Sequence, residues 1–424
     1  MAHWFHRNPL KATSKVNFEL KLVASTTGAR QICSELMRTR NKLLDILADP
    51  NLDVKIMEEA AKHYLSLLNG FLYTVDEGAA GDSKLRNIIK FRWTNTLCGS
   101  TPSEHFDSYF ELYSVVFDIG LWFSKHAAKI AGAKDDPSVD EAKEVHKCLR
   151  IAAGIFQYVK DEVGPALLDR GDKTHDTDAR IIEAYVNQCT AEAQEITLAR
   201  AIELKHAVSL RSSLAYETSK LFEAADLGLN TSDDSVTEKW RKYLQLKAAF
   251  YMSYAYSFHG EDLLAQDKCG EAIACLRESV KYFQKSSNLC KEYTSAKGAG
   301  STVKPAEHCF FRKLGRVVKL TLEKCEREND FIYHHKVPSE VPELELKATF
   351  GLVKPEKYEL PPRHEMWNKD IYAAFDITKN DHATTSTTDP KKKKEEEGEI
   401  PPVKEADIKT TSKDPSNFSG CIVS

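Results

Sequence analysis

The four C-terminal residues of this chain form the pattern with the clearest chemistry. Cys421 stands fourth from the end, two aliphatic residues follow it, and Ser424 is last. This is the C-a-a-X pattern, in which an isoprenoid is transferred to the cysteine thiol, and a final serine favours the farnesyl group. We therefore predict that Cys421 is farnesylated and that the modified chain associates with membranes.

Patterns that would indicate catalysis or metal binding are incomplete. His364 and Glu365 begin an H-E-x-x-H pattern, but Asn368 occupies the place of the second histidine that a zinc ion would need. The sequence has no phosphate-binding loop of the G-x-x-x-x-G-K-[ST] type and no G-x-S-x-G nucleophile elbow. We therefore predict no catalytic residues, no metal site and no cofactor, and an enzyme with an unrecognised site is kept as an alternative.

Several glutamates recur at helical spacing between positions 192 and 203. Glu192, Glu195 and Glu203 lie near Arg200 and Lys205 in the sequence. This spacing is typical of ion pairs along one side of a helix, so we interpret these residues as a solvent-exposed, ion-paired face rather than a catalytic pair.

Composition limits the class of protein. The chain has 424 residues, 42% of them hydrophobic, and a net charge of -4, so it can bury a large core and has no basic field for nucleic acid. Its 10 cysteines form no C-x-x-C pair, which fits a reducing cytosol. Because no apolar run reaches the roughly 18 residues of a membrane span, we expect a cytoplasmic protein that is peripheral on membranes through its lipid.

Hydrophobic spacing predicts a mainly α-helical chain. Val16, Phe18, Leu20 and Leu22 alternate with polar residues and predict one strand, but helical periodicity continues from there to about residue 330. Two long helical segments are predicted over 178–225 and 235–293, the second with a break near Gly260. The second segment resembles a tetratricopeptide helix pair, without a regular array of such repeats, so the pattern favours an irregular helical solenoid.

The C-terminal part changes in character. Prolines recur after residue 300 and predict an extended segment that packs along the helical body. From residue 379 the apolar content falls, and the lysine- and glutamate-rich stretch over 389–397 is typical of disorder. We therefore predict a helical domain over 1–378, a disordered tether over 379–420 and the lipid motif over 421–424.

Six stretches of the sequence resemble the Bro domain family. They are HWFHRNPLK at 3–11, LRIAAGIF at 149–156, AEAQE at 191–195, IELKH at 202–206, FFRKLG at 310–315 and GLVKP at 351–355. The closest resemblance is to the short, prenylated members rather than to those that continue into a V-shaped domain and a proline-rich tail. The resemblance implies an elongated, curved helical solenoid with tetratricopeptide-like helix pairs and a small N-terminal β-sheet.

The resemblance also implies a partner. The concave face of Bro domains binds the C-terminal amphipathic helix of ESCRT-III subunits, and Leu210 and Leu214 match the family's apolar contacts. Thr197, which stands where relatives carry an aromatic residue, and Arg200 complete the predicted binding surface. From the residues alone, Leu210 and Leu214 are better interpreted as core residues, and only the resemblance assigns them to a partner.

Together these patterns predict a non-enzymatic, membrane-tethered adaptor. Family members act in ESCRT-dependent membrane remodelling at endosomes, at the division bridge and at the nuclear envelope. A membrane-shaping coat that assembles with itself is the alternative from a different class. The sequence does not distinguish between ESCRT-III subunits, and it predicts no nucleic-acid partner.

Overall fold

A computed structural model describes residues 4–76, 81–133, 137–169, 171, 175–230, 234–300, 309–344, 348, 350–379 and 398–406. Within these ranges the chain forms ten α-helices and one antiparallel sheet of two strands, β1 (Phe91–Thr94) and β2 (Pro102–His105). The helices are α1 (Thr27–Leu47), α2 (Val54–Leu72), α3 (Ser108–Ala133), α4 (Val139–Tyr158), α5 (Ala179–Glu203), α6 (Val208–Leu229), α7 (Asp234–Ala265), α8 (Cys269–Ser295), α9 (Cys309–Glu328) and α10 (Lys369–Ala373).

Polar residues fix where several helices begin. Asp53 accepts a hydrogen bond from the amide of Lys55, and Asp178 accepts one from the amide of Arg180. Ser138 and Glu141 form a reciprocal capping box at the start of α4. Each cap satisfies an amide that has no partner inside its helix, so the helix starts are encoded locally.

The strand predicted from Val16 to Leu22 is wrong. This stretch is irregular, with Phe18 buried between the rings of Phe71 and Phe91, while Leu22 is exposed. The alternation of apolar and polar residues reflects the burial of one side of this segment and not pairing with another strand. A strand needs a neighbouring strand to satisfy its backbone amides. The small sheet lies instead at β1 and β2, and a single bridge from Thr13 to Trp93 extends it.

Each of the two long segments is a pair of helices. The first divides between α5 and α6, where Lys205 adopts a φ of 52°. The second divides at Asp267, with a φ of 58°, and not near Gly260 as predicted. Gly260 lies inside α7, at a point where α8 packs closely. A Cβ at this position would lie 2.7 Å from Cγ of Leu276.

Antiparallel neighbours build the solenoid. The hydroxyls of Ser212 and Ser219 on α6 donate to the carbonyls of Ala255 and Ala248 on α7, each at 2.8 Å. The order of these contacts shows that the two helices run in opposite directions. Such small residues let helices approach closely and satisfy buried hydroxyls at the same time. The predicted helix pairs and the mainly α fold are confirmed.

Residues 350–379, here called the return segment, run back across the helices. The amide of Glu356 donates to the carbonyl of Arg150 on α4 at 3.0 Å, and the indole of Trp367 donates to the carbonyl of Leu67 on α2 at 2.8 Å. Tyr372 then packs near the end of α2, where its hydroxyl accepts from the amide of Lys84 at 2.9 Å. The predicted extended segment along the helical body is therefore present.

Residues 398–406 differ from the tether predicted over 379–420, since they pack on the body. The carboxylate of Glu405 pairs with Lys125 on α3 and accepts from the amide of Leu10 at 2.9 Å. Ile400 is buried, and its amide donates to the carbonyl of Ser100 at 2.9 Å. The composition of this stretch predicts disorder, but the burial of Ile400 and the pairing of Glu405 with the buried Lys125 hold it on the body. Residues 380–397 and 407–424, Cys421 included, lie outside the described ranges.

Candidate partner-binding surface

Helix α5 carries a row of polar residues that hold other parts of the chain. The carboxylate of Glu192 forms a two-point ion pair with Arg7 of the N-terminal segment, at 2.7 and 2.9 Å. The phenol of Tyr243 on α7 donates to the same carboxylate at 2.7 Å, and burial, followed by the nearby Glu192, raises the pKa of this phenol well above its usual value. Tyr243 therefore stays protonated and acts as a permanent donor.

One turn further along α5, Glu195 accepts from Lys247 at 2.6 Å, with both side chains buried. The Lys247 ammonium lies 4.2 Å from the centroid of the Trp4 ring. Burial lowers the pKa of Lys247, and the Glu195 carboxylate opposes that effect. The pair is a structural contact, because a buried charge is tolerated only with a partner.

The predicted solvent-exposed face on α5 is therefore wrong for two of its three glutamates. Glu192 and Glu195 are buried, and their ion pairs reach residues far away in the sequence. Only Glu203 pairs with Arg200 at the surface, at 2.8 Å. The spacing of acidic residues along a helix does not show whether they are exposed or buried, because an ion-pair partner on another element leaves no pattern in the local sequence.

Between these two glutamates, Gln194 binds the return segment at two points. Its amide nitrogen donates to the carbonyl of Gly351 and its amide oxygen accepts from the amide of Val353, both at 2.8 Å. Gly351 has a φ of 81°, which favours glycine. A Cβ on Gly351 would lie 3.4 Å from Leu214 and 3.6 Å from Thr197, so the return segment crosses the predicted binding surface.

The four residues predicted to contact a partner have different environments. Leu214 is only 1% exposed and Leu210 is also buried, whereas Thr197 is partly buried and Arg200 is exposed. Thr197 and Leu214 meet beneath Gly351. Their role in partner binding stays a prediction, and the side chain of Leu214 is mostly covered in the unbound protein.

Exposed apolar side chains adjoin this place. Phe350 is 61% exposed and Leu352 is 48% exposed, and they flank Gly351 in the chain. Leu204 is exposed in the turn between α5 and α6. Sequence reasoning missed all three, although the GLVKP stretch and the IELKH stretch contain or adjoin them. We define Phe350 and Leu352, together with Thr197 and Leu214, as the crossing surface.

The incomplete zinc-like pattern has a structural role. The ring of His364 stacks on that of His63, with centroids 5.4 Å apart, and Asn368 caps α10. Among the described residues no group of three or more histidines, cysteines or acids is arranged to hold a metal ion. Nor, in the same part of the chain, does any helix combine the length and the apolar character that a bilayer crossing requires.

The family model for the BRO1-like domain matches residues 7–378. The chain belongs to the BRO1-like domain family. The relatives that it resembles include the human "BRO1 domain-containing protein BROX", 51% identical over 379 residues that cover 89% of this chain and 92% of the relative. BROX of zebrafish (Danio rerio) is 48% identical over the full length of both chains, and the BROX homologue of Caenorhabditis elegans is 40% identical, again over both full lengths.

Solved Bro1 domains have the same fold. The ALIX Bro1 domain in a complex with CHMP4C superposes with a TM-score of 0.65 at 20% identity, covering 86% of this chain and 99% of that one. A Bro1 domain studied for endosomal targeting gives a TM-score of 0.62 at 21% identity, covering 90% and 98%. The resemblance inferred from the six stretches is confirmed.

Several of those stretches meet one another in the structure. The N-terminal HWFHRNPLK binds AEAQE through Arg7 and Glu192, and AEAQE binds GLVKP through Gln194. Gly154 of LRIAAGIF lies beneath the return segment, where a Cβ would come within 1.6 Å of the carbonyl oxygen of Glu356. The residues that carry the resemblance therefore hold the Bro1 fold together around α5.

Proposed function

We propose that this Bro1 domain protein is a non-enzymatic, membrane-tethered adaptor that binds the C-terminal amphipathic helix of ESCRT-III subunits at the crossing surface. The observation that carries the proposal is the exposure of Phe350 and Leu352 beside Leu214, the leucine that the family resemblance assigns to partner binding. The ALIX Bro1 domain, which shares the fold, is known in a complex with CHMP4C. We place its action in membrane remodelling at endosomes, the division bridge or the nuclear envelope.

The crossing surface suits an amphipathic helix. Helix-in-groove recognition uses a few apolar anchors at helical spacing, which bury against exposed apolar side chains of the receptor. Phe350 and Leu352 are the accessible apolar groups here, while Leu214 and Thr197 lie under Gly351. Full burial of one large apolar side chain contributes about 1.5–3 kcal/mol, so a few such contacts support specific but reversible binding.

The lipid half of the proposal rests on Cys421. A single lipid chain gives only marginal, reversible membrane binding, so a second contact is needed for stable attachment. ESCRT-III helices presented on a membrane would supply that contact, because tethering converts the second binding event into an intramolecular one.

The test of the crossing surface is a fluorescence titration of the CHMP4C C-terminal helix with the full chain. Phe350→Asp and Leu352→Asp place a charge on exposed positions, and we expect each to weaken binding by about tenfold or more. The matched control is Leu227→Asp, since Leu227 on α6 is 71% exposed and lies more than three turns from Leu214. Wild-type affinity in both crossing-surface variants would remove the site assignment.

The test of the lipid is independent of the partner. We expect Cys421→Ser to move the protein from the membrane fraction to the soluble fraction of cells, and mass spectrometry of the wild type to find a farnesylated C-terminal peptide. Equal membrane recovery of the two forms, with an unmodified thiol in the wild type, would contradict farnesyl anchoring.

A further inference from the structure

Helix α9 buries one side and exposes residues of the opposite side. Leu314, Val318 and Cys325 are buried, and Sγ of Cys325 lies 3.5 Å from Sγ of Cys269 at the start of α8. Phe311 packs on the ring of Phe283, with centroids 5.0 Å apart. The same Phe311 ring stacks on that of Phe250 of α7, with centroids 5.5 Å apart, so α9 is fixed on α8 and α7 along one side.

The exposed side of α9 is apolar and basic. Six exposed residues follow the helical pattern i, i+3, i+4, i+7, i+11 and i+14, which places them on one side of the helix. They are Lys313, Arg316, Val317, Leu320, Lys324 and Arg327. The π-helical turn that follows, Asn329–Tyr333, adds Phe331, which is 79% exposed, and Ile332, which is 67% exposed. We call these eight residues the α9 face.

The acidic residues of α9 lie beside this face and have partners of their own. Glu323 lies 3.9 Å from Lys319, Glu328 lies 3.6 Å from Lys324, and Glu326 binds Arg277 of α8 at 2.8 Å. Lys324 is therefore partly neutralised. Lys313, Arg316 and Arg327 are exposed on the same side of α9 as the exposed apolar residues Val317 and Leu320.

This combination has a specific physical meaning. Exposed apolar side chains that occur singly are ordinary, but an apolar stripe bordered by lysine and arginine is the signature of a helix that lies in a membrane interface. Anionic headgroups attract the basic residues, and the apolar side chains enter the boundary between headgroups and acyl chains. A purely electrostatic contact with an acidic partner surface would leave the apolar side chains of Phe331 and Ile332 exposed to water.

We infer that the α9 face is a second membrane contact, which docks on anionic phospholipid and carries Leu320, Phe331 and Ile332 into the interface. The inference goes beyond the adaptor function and requires neither the farnesyl group nor an ESCRT-III helix. It also supplies what one lipid chain lacks, because two weak membrane signals on one chain act together.

The test uses the full chain with Cys421→Ser, so that no lipid contributes, and measures co-sedimentation with vesicles. We expect binding to vesicles rich in phosphatidylserine, little binding to phosphatidylcholine alone, and weaker binding as salt rises. The double variant Phe331→Asp/Ile332→Asp and the double variant Lys313→Glu/Arg316→Glu should each reduce binding by about tenfold or more. Leu227→Asp is the matched control and should bind as the parent does.

Three outcomes would overturn the inference. The first is that the parent does not bind phosphatidylserine vesicles, and the second is that both double variants bind them as the parent does. The third is that the variants lose self-association in sedimentation rather than vesicle binding, which would make the face a contact between two copies. All the changed residues are exposed, so we expect unchanged thermal melting, which checks that the variants fold. A failure here leaves the titration of the CHMP4C helix unaffected, so the two proposals are tested separately.

Discussion

Leu214 and Gly351 meet where α6 faces the return segment, and their environment decides which substitutions are informative. Leu214 is the residue that the family resemblance favours, yet its side chain is almost wholly covered. Phe350 and Leu352 are accessible at the same place. A charge at an exposed position tests binding, whereas a charge at a covered position tests folding first.

We predict that Leu214→Asp lowers the free energy of unfolding by about 3 kcal/mol or more, because a carboxylate would be buried without a partner. Chemical denaturation followed by circular dichroism measures this change. The free energy of unfolding of Phe350→Asp should lie within about 0.5 kcal/mol of the wild-type value, as is usual for surface substitutions. A Leu214→Asp protein as stable as Phe350→Asp would show that Leu214 is accessible after all.

A second residue-scale prediction concerns Gly154. Because a Cβ would lie 1.6 Å from the carbonyl oxygen of Glu356, Gly154→Ala should displace the return segment from α4. We expect faster amide exchange at Glu356, whose amide donates to Arg150, and a loss of about 1–3 kcal/mol in the free energy of unfolding. Gly164→Ala, which meets its nearest atom at 3.3 Å, is the milder comparison. Wild-type exchange at Glu356 would contradict the close approach.

At the scale of elements, the return segment is held to α2 by a pair of stacked imidazoles. Burial lowers the pKa of His63, and His364, Arg38 and Lys42 lower it further, whereas Glu35 raises it. The folded protein therefore binds a proton at His63 less readily than the unfolded chain. The contribution of His63 to stability is full above the ordinary histidine pKa of about 6.5 and is lost as the pH falls below that value.

We therefore expect the free energy of unfolding to fall between about pH 7.5 and about pH 5.5, and His63→Gln to reduce that fall. Denaturant titrations at the two pH values measure the difference. Burial and then Arg150 also lower the pKa of His146, so His146→Gln is a useful second variant that should act independently. An equal fall in the wild type and in His63→Gln would show that the stacked pair does not sense pH.

At the scale of the whole molecule, both ends of the described chain converge on the helical body. Glu405 near the C-terminus binds Lys125 on α3 and the amide of Leu10 near the N-terminus. The amide of Ala406 donates to the carbonyl of Ala48 at the end of α1 at 2.8 Å. Residues 405 and 406 are therefore fixed beside α3 and the end of α1.

Glu405→Ala should release this C-terminal segment, because Lys125 would stay buried without a partner. We expect faster amide exchange at Ile400 and Ala406 and a loss of about 1–3 kcal/mol in the free energy of unfolding. Glu399→Ala, at an exposed neighbouring carboxylate, is the control and should change neither quantity. Protection that survives in Glu405→Ala would mean that the apolar contact of Ile400 suffices.

Much of this architecture follows from the sequence, for identifiable reasons. Apolar periodicity predicted the helices, and the six family stretches predicted the Bro1 fold. Periodicity did not predict that Glu192 pairs with Arg7, or that Glu405 pairs with Lys125, because each partner lies more than a hundred residues away. Phe350 and Leu352 were missed for a related reason: a loop residue acquires its role only when the return segment crosses α5.

The most direct measurement is a calorimetric titration of the wild-type full chain with the C-terminal helices of a panel of ESCRT-III subunits. We expect saturable binding of at least one helix, at one helix per chain, with a negative heat-capacity change from apolar burial. Failure of every helix in the panel to bind folded wild-type protein would contradict the proposed binding of ESCRT-III subunits.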